Sequence, residues 1–231
     1  MSEHGDRASF VAAIRQRTAV AVVAGAHPRP VPRSDAPSVG FRVLDGVDAA
    51  DAGALLRCFT TTAQAASVTV HPTPSAAVPP STLAGIVAEY DVARAVLSAE
   101  TEAQACRDAL EALGVAVADH DGATTAADAH LGVTSAVAAV AATGSIVVSS
   151  AWARGRAASL LPHVHLCVLP AERLVATPAD VLRGRRWRPP PSNLVFITGP
   201  SRTGDIEQVM TLGVHGPTAV HVVVTSAPVA P

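Results

Sequence analysis

From Gly46 onward, short apolar runs alternate with segments whose apolar residues recur at helical spacing. Ala49 to Ala65 reads as a helix and Ser67 to His71 as a strand. A proline-rich turn follows, and Pro79-Pro80-Ser81 opens a helix to about Glu89. Val92 to Ser98 is strand-like, Glu102 to Leu113 a helix stopped by Gly114, and Val115 to Ala118 a short strand. Ala126 to Ala129 reads as a helical turn, and Thr134 to Ala142 as a small-residue helix ended at Thr143-Gly144. Ile146 to Ser149 and Val164 to Leu169 are further strands, and Pro178 to Arg183 is a short helix. No internal repeat is visible. Strands alternating with helices predict an α/β domain over residues 46–231, its mainly parallel sheet covered by helices.

The C-terminal part holds the densest local signal. Leu194 to Thr198 is a nearly continuous apolar run, as expected of an interior strand buried on both faces. Gly199-Pro200-Ser201-Arg202-Thr203-Gly204 is a tight turn. Asp205 fits a helix N-cap with Gln208 as its capping-box partner, and Ile206, Val209, Met210 and Gly213 lie at helical spacing. A second loop, His215-Gly216-Pro217, leads into an interior strand from Ala219 to Val224. The whole predicts one βαβ unit, with Arg202 at the carboxyl end of its first strand. There the helix N-terminus can present N–H groups to an anion. Ser201, Arg202 and Thr203, with their backbone N–H groups, would cradle a carboxylate or phosphate, and Gly199, Gly204 and Asp205 complete the candidate ligand-binding loop. The other reading of Arg202 is an ion pair with Asp205 or Glu207 that ties down the turn. His215, with Gly216 beside it, is a donor or proton carrier, or else a turn histidine bonded to backbone. In a simple βαβ unit the two loops lie at opposite sheet edges, so a shared pocket requires a short helix, an exit loop that folds back, or a second loop supplied by a neighbouring copy.

Residues 1–45 read differently. A helix is predicted from Arg7 to about Ala24, then a stiff arm from His27 to Pro37 with prolines at 28, 30, 32 and 37. Arg15 and Arg17 before Ala19 to Ala24 mimic a signal peptide, but the apolar part is short and Glu3 and Asp6 precede it. No apolar run approaches the length of a membrane span, and a cytoplasmic location is expected.

Composition narrows the chemistry. The chain is 49% hydrophobic but only 3% aromatic, so its core is built from alanine, valine and leucine. A net charge of −2 gives no electrostatic basis for nucleic-acid or membrane binding. The short basic run Arg183 to Arg188 is too narrow to alter that. Every basic residue is arginine, which excludes Schiff-base chemistry and a P-loop lysine. Although Gly199 and Gly204 have Walker A spacing, Asp205-Ile206 stands where Lys-Ser/Thr is required. Gly199-x-Ser201 also lacks the last glycine of a nucleophile elbow, having Thr203 there. Cys58, Cys106 and Cys167 are scattered, so this chain alone cannot supply the four thiolates of an ordinary iron–sulfur cluster. His163, His165 and Cys167 alternate along one strand face, but no fourth ligand is legible, and neither metal nor cofactor is assigned.

Ile197 to Glu207, followed by Gly213-Val214-His215-Gly216-Pro217, resembles the signature of the LUD-domain family. Gly132-Val133-Thr134, Ala142-Thr143-Gly144-Ser145, and Leu161-Pro162 with His165 match its other landmarks, and the resemblance runs from about Ala49 to Thr225. By this resemblance Thr143 and Gly144 join the candidate ligand-binding residues. Ala142 stands where the family often has an acidic residue, so no role of that carboxylate carries over. The resemblance implies a fold related to the sugar-phosphate isomerase and CoA-transferase superfamily. It also implies an accessory or ligand-binding subunit of bacterial L-lactate oxidation, working beside iron–sulfur partner proteins. The alternative is a stand-alone enzyme or binding protein for a small anionic metabolite, with catalytic residues unassigned. Superfamily chemistry does not transfer, because its isomerases use a lysine absent here and no CoA-transferase glutamate motif is present.

Overall fold

The computed structural model describes Leu44 and residues 47–151, 156–183, 191–204, 210–212 and 216–226. The expected helix Arg7 to Ala24 and the arm His27 to Pro37 lie outside the described residues. In chain order the elements begin with α1 (Ala52–Ala65), β1 (Thr69–Thr73), α2 (Pro80–Glu89), β2 (Arg94–Leu97), α3 (Thr101–Gln104), α4 (Arg107–Ala112) and β3 (Ala116–Asp119). Next come α5 (Ala123–Ala127), β4 (Leu131–Ser135), β5 (Ala138–Val140), β6 (Ser145–Ser149), α6 (Ala157–Leu160) and β7 (Val164–Pro170). The 3₁₀ turn Ala171–Arg173 leads to β8 (Leu174–Val175), α7 (Pro178–Arg183), β9 (Leu194–Ile197), β10 (Arg202–Gly204), β11 (Met210–Leu212) and β12 (Ala219–Thr225).

Six strands form a sheet in the order β1-β12-β7-β4-β2-β3, and every neighbouring pair is parallel. One face packs Leu97, Val133, Leu166 and Val223 against Leu83 and Ile86 of α2 and Leu110 of α4. The other packs Leu169, Val222 and Val224 with Leu55, Phe59 and Ala63 of α1 and with Ala139 and Ile146 of a second sheet. That sheet has the order β8-β5-β6-β9 and is mixed. A mainly parallel, helix-covered α/β architecture is therefore present, as the alternation predicts. Gly114, at φ +81, is the expected helix stop.

Four expectations fail, each for a local reason. Thr134 to Ala142 is strand, turn and strand, because β4 lies between β2 and β7 and sheet pairing overrides alanine's helix propensity. Leu194 to Thr198 is not interior: β9 is the edge of the second sheet, antiparallel to β6, with Phe196 37% exposed. An apolar run of that length cannot distinguish burial on two faces from burial on one. The expected helix after Asp205 is also absent at its C-terminal end, where Met210–Leu212 pair antiparallel with Arg202–Gly204. Residues 205–209 lie outside the described residues. Strand pairing satisfies the backbone of a segment too short to be a stable helix alone. The helix predicted from Glu102 to Leu113 is divided into α3 and α4 around Ala105-Cys106.

Gly132 locates the tightest packing. A Cβ there would lie 1.8 Å from the Ala158 carbonyl oxygen and 2.9 Å from Pro162 Cγ, so α6 rests directly on β4. Gly85, within α2, has nothing within 4 Å of such a Cβ. Gly132→Ala is expected to cost about 3 kcal/mol, lowering the melting temperature by roughly 6–12 °C. Gly85→Ala should instead raise stability by about 0.5–1 kcal/mol. Thermal unfolding of both variants checks the pair, and an unchanged Gly132→Ala protein would contradict this packing.

Candidate functional site

In a parallel sheet, loops at the strand carboxyl ends hold ligands, above all where the direction of strand addition reverses. That reversal falls at β2: the chain moves outward to β3 and then returns past β2 to β4. The ladder continues one residue beyond these strands. Ser98 N–H donates to Val133 O at 2.9 Å, and His120 N–H to Leu97 O at 2.8 Å. Since Leu97 and Asp119 are register partners, Ser98 and His120 stand side by side at the carboxyl edge. Ser98 is 0% exposed, His120 4% and Glu100 8%. Among the described residues, the Ser98 hydroxyl, both Glu100 carboxyl oxygens and both His120 ring nitrogens lack a hydrogen-bond partner.

The surrounding groups are committed. Gln104 Nε2 donates to Ser98 O and to Asp119 Oδ1, each at 2.9 Å. Arg107 Nη2 donates to Asp119 Oδ1 at 2.6 Å, and Arg107 also faces Glu111 at 3.5 Å. Arg173 Nη1 donates to Ser135 Oγ at 3.0 Å and Ala136 O at 2.9 Å, while its Nη2 pairs with Glu102. Burial raises the Glu100 pKa; Ser98, Glu100's own backbone and Arg173 pull the other way, and Glu102 adds to the rise. Ser98 therefore lies close enough to Glu100 to favour its ionised form. A cavity of about 300 Å³ opens here, lined by Leu97, Ala99, Gln104, Asp119 and His120.

The residues singled out in the sequence lie elsewhere. Because β9 belongs to the second sheet, the Gly199 loop does not leave the parallel sheet at all. Ser201 N–H donates to Pro217 O at 2.8 Å, and a Cβ on Gly216 would lie 3.2 Å from Ser201 Cβ. The two loops therefore touch, just before the amino end of β12 and on the sheet edge opposite Ser98 and His120. Arg202, Thr203 and Gly204 form β10, whereas Asp205 and His215 lie outside the described residues. Thr143 Oγ1 meets Ser145 Oγ at 2.7 Å, and Ser145 Oγ meets Thr198 Oγ1 at 2.8 Å. Gly144 and Gly199 have φ of +66 and +123, and both abut α1. Packing alone accounts for these two glycines.

His165 and Cys167 share one buried face of β7, whereas His163 precedes the strand and its Nε2 contacts Thr218 Oγ1 at 2.9 Å. Among the described residues, no group of three or more His, Cys, Asp or Glu is arranged to hold a metal. His165 Nε2 is 2.8 Å from Thr134 Oγ1, and its Nδ1 is buried without a partner. Near the amino edge, His71 Nε2 meets His221 Nδ1 at 3.1 Å, and His221 Nε2 meets Tyr90 Oη at 3.2 Å. Sequence reasoning missed Ser98, Glu100 and His120, which belong to no motif. Their signal is positional: polar residues directly after the apolar runs of β2 and β3.

Burial, with His221 nearby, lowers the His165 pKa from 6.5 to about 4. The unfolded chain takes up that proton as pH falls below 6.5, while the folded protein resists until about 4. His165 therefore withdraws about 3 kcal/mol of stability across that window, and His165→Gln should flatten the loss. Glu100 has the opposite sign: its raised folded pKa destabilises the protein as pH rises. Glu100→Gln is expected to be stabilising at pH 8. Denaturant titrations from pH 4 to 8 read both effects, and pH-independent differences would contradict the assigned burial.

The comparisons with known proteins agree with this architecture. The family model for the LUD domain matches residues 56–225. The chain is 37% identical over 100 residues to lactate utilization protein C of Halalkalibacterium halodurans, covering 40% of this chain and 42% of that protein. Its identity to the protein of the same name from Bacillus subtilis is 34% over 97 residues, or 40% of each chain. The matched region thus spans about two fifths of these curated relatives. A crystal structure of a DUF162 family protein from Deinococcus radiodurans aligns with TM-score 0.53 at 22% identity, covering 76% of this chain and 98% of that one. At that identity the likeness speaks for the fold. With its LUD-domain match extending over most of its length, the chain belongs to the LUD-domain family.

Proposed function

We propose that this protein serves bacterial L-lactate utilization as an accessory or ligand-binding subunit, working beside iron–sulfur partner proteins that carry the electrons. The observation that carries this reading is its 33–37% identity to relatives named lactate utilization protein C. Cysteine chemistry supports the division of labour. Burial pushes the Cys106 and Cys167 thiols up to about 12, so neither readily offers a thiolate to a metal. Location in the cytoplasm, where such partners would reside, belongs to the same proposal. Among the described residues, no helix is long and apolar enough to cross a membrane.

The loops Gly199 to Gly204 and Gly216-Pro217 are proposed as a small-anion site, supported by the Ser201–Pro217 hydrogen bond that joins them. Arg202 would be its principal cation. Arg202→Ala should preserve folding and weaken a carboxylate or phosphate ligand by ~1.5–3 kcal/mol, the usual worth of a hydrogen bond to a charged group. Calorimetric titration with L-lactate, pyruvate and inorganic phosphate reads this, and an undiminished affinity would remove Arg202 from the site. A chromosomal deletion tests the functional reading. The deletion strain should fail on L-lactate as sole carbon source, grow normally on pyruvate, and recover with the restored gene. Normal growth of the deletion strain on lactate would contradict the reading.

A further inference from the structure

Ser98 and His120 are adjacent across β2 and β3 and almost wholly buried, and the Ser98 hydroxyl and both His120 ring nitrogens have no hydrogen-bond partner among the described residues. Glu100, two residues beyond Ser98, is in the same condition. A buried polar group without a partner costs about 1–3 kcal/mol, so three at one strand edge require an explanation outside the fold itself. His120 lines the cavity of about 300 Å³, which places a missing partner within its reach. That volume is near the lower end of ligand pockets and suits a molecule of a few carbons.

The charges select among such molecules. Arg107 is held by Asp119 and Glu111, and Arg173 by Glu102, Ser135 and the Ala136 carbonyl. Both arginines are thus engaged with acids, and an incoming anion would meet Glu100, Glu102 and Asp119. A hydroxyl group meets no such penalty. It donates and accepts at once, matching a serine hydroxyl, an imidazole and a carboxyl. The apolar surfaces of Leu97 and Ala99 suit a short carbon chain.

We propose that this cavity at the carboxyl ends of β2 and β3 binds a small uncharged hydroxylated molecule, a diol or polyol of a few carbons, through His120, which lines it, with the buried Ser98 hydroxyl behind it. The proposal stands independently of the lactate reading and of the Gly199 loop. The test is a titration of the full ¹⁵N-labelled chain, following the histidine ring nitrogens by NMR, with the His120 signal assigned through His120→Gln. The probes are 1,2-propanediol, glycerol and L-lactate, the last replacing the diol's terminal CH₂OH by a carboxylate. The expected result is a saturable shift of the His120 signals with the diol or glycerol, and none with L-lactate at the same concentrations. Ser98→Ala should weaken that binding about fivefold, the loss of one neutral hydrogen bond. If His120→Gln fails to fold, Ser98→Ala and the signals it leaves untouched still allow the assignment. Shifts that do not saturate would mean buried water only, and saturation by L-lactate below the diol concentration would mean an anion site. Either result overturns the proposal.

Discussion

The close seat of α1 on two glycine turns is the constraint on which the rest of the structure depends. A Cβ on Gly144 would lie 2.3 Å from Ala63 N, and one on Gly199 would lie 2.3 Å from Ala66 O. Both glycines have positive φ, so the backbone has the left-handed conformation and the closeness together. Thr62 Oγ1 then reaches Ala141 O at 2.8 Å, and Cys58 Sγ lies 3.4 Å from the same oxygen. On the same helix, Leu55, Phe59 and Ala63 join the apolar cluster that includes residues of both sheets. One helix end therefore fixes the β5–β6 turn, the end of β9 and a face of the parallel sheet. The family-like landmarks Thr143-Gly144 and Thr198-Gly199 have a packing role before any role in binding.

A core of small aliphatic residues shapes the chemistry in a second way. With aromatics scarce, strands and helices approach closely, and polar side chains at strand ends become buried. Between β4 and β7 this yields a buried contact from Thr134 Oγ1 to His165 Nε2, although His165 Nδ1 has no partner among the described residues. At the carboxyl edge of β2 and β3 it yields Ser98, Glu100 and His120 with unmet hydrogen-bonding capacity. Native proteins keep few such groups, and those they keep cluster where something else binds. The reversal of strand order at β2 places that cluster where α/β sheets accommodate ligands.

How much of this was legible in the sequence follows from the range of each signal. The alternation of apolar runs with helical spacing gave α1, α2, β2, β7 and β12 close to their observed limits, because those segments obey one period throughout. Thr134 to Ala142 failed because alanine and valine fill helix and strand equally well when only neighbouring strands decide. At the C-terminus, a strand-like run and a glycine turn were sound locally, but the sheet to which β9 belongs is a long-range fact. The loop after β9 therefore leaves the second sheet and not the carboxyl edge of the parallel one. Ser201 does contact Pro217, yet beside the amino end of β12. Ser98, Glu100 and His120 stayed hidden because their meaning arises only when β2, β3 and β4 are aligned.

The unmet polar groups at the carboxyl edge of the parallel sheet are proposed to mark a small-molecule site separate from the Gly199 loop. The most direct test is a high-resolution crystal structure of the full chain after soaking with a set of small neutral and anionic fragments. The account predicts that neutral hydroxylated fragments occupy the cavity beside Leu97, Ala99 and His120, within hydrogen-bond distance of the Ser98 hydroxyl or a His120 ring nitrogen. Fragments gathering at Gly199 to Gly204, with the edge cavity holding only water bonded to Ser98, Glu100 and His120, would contradict it.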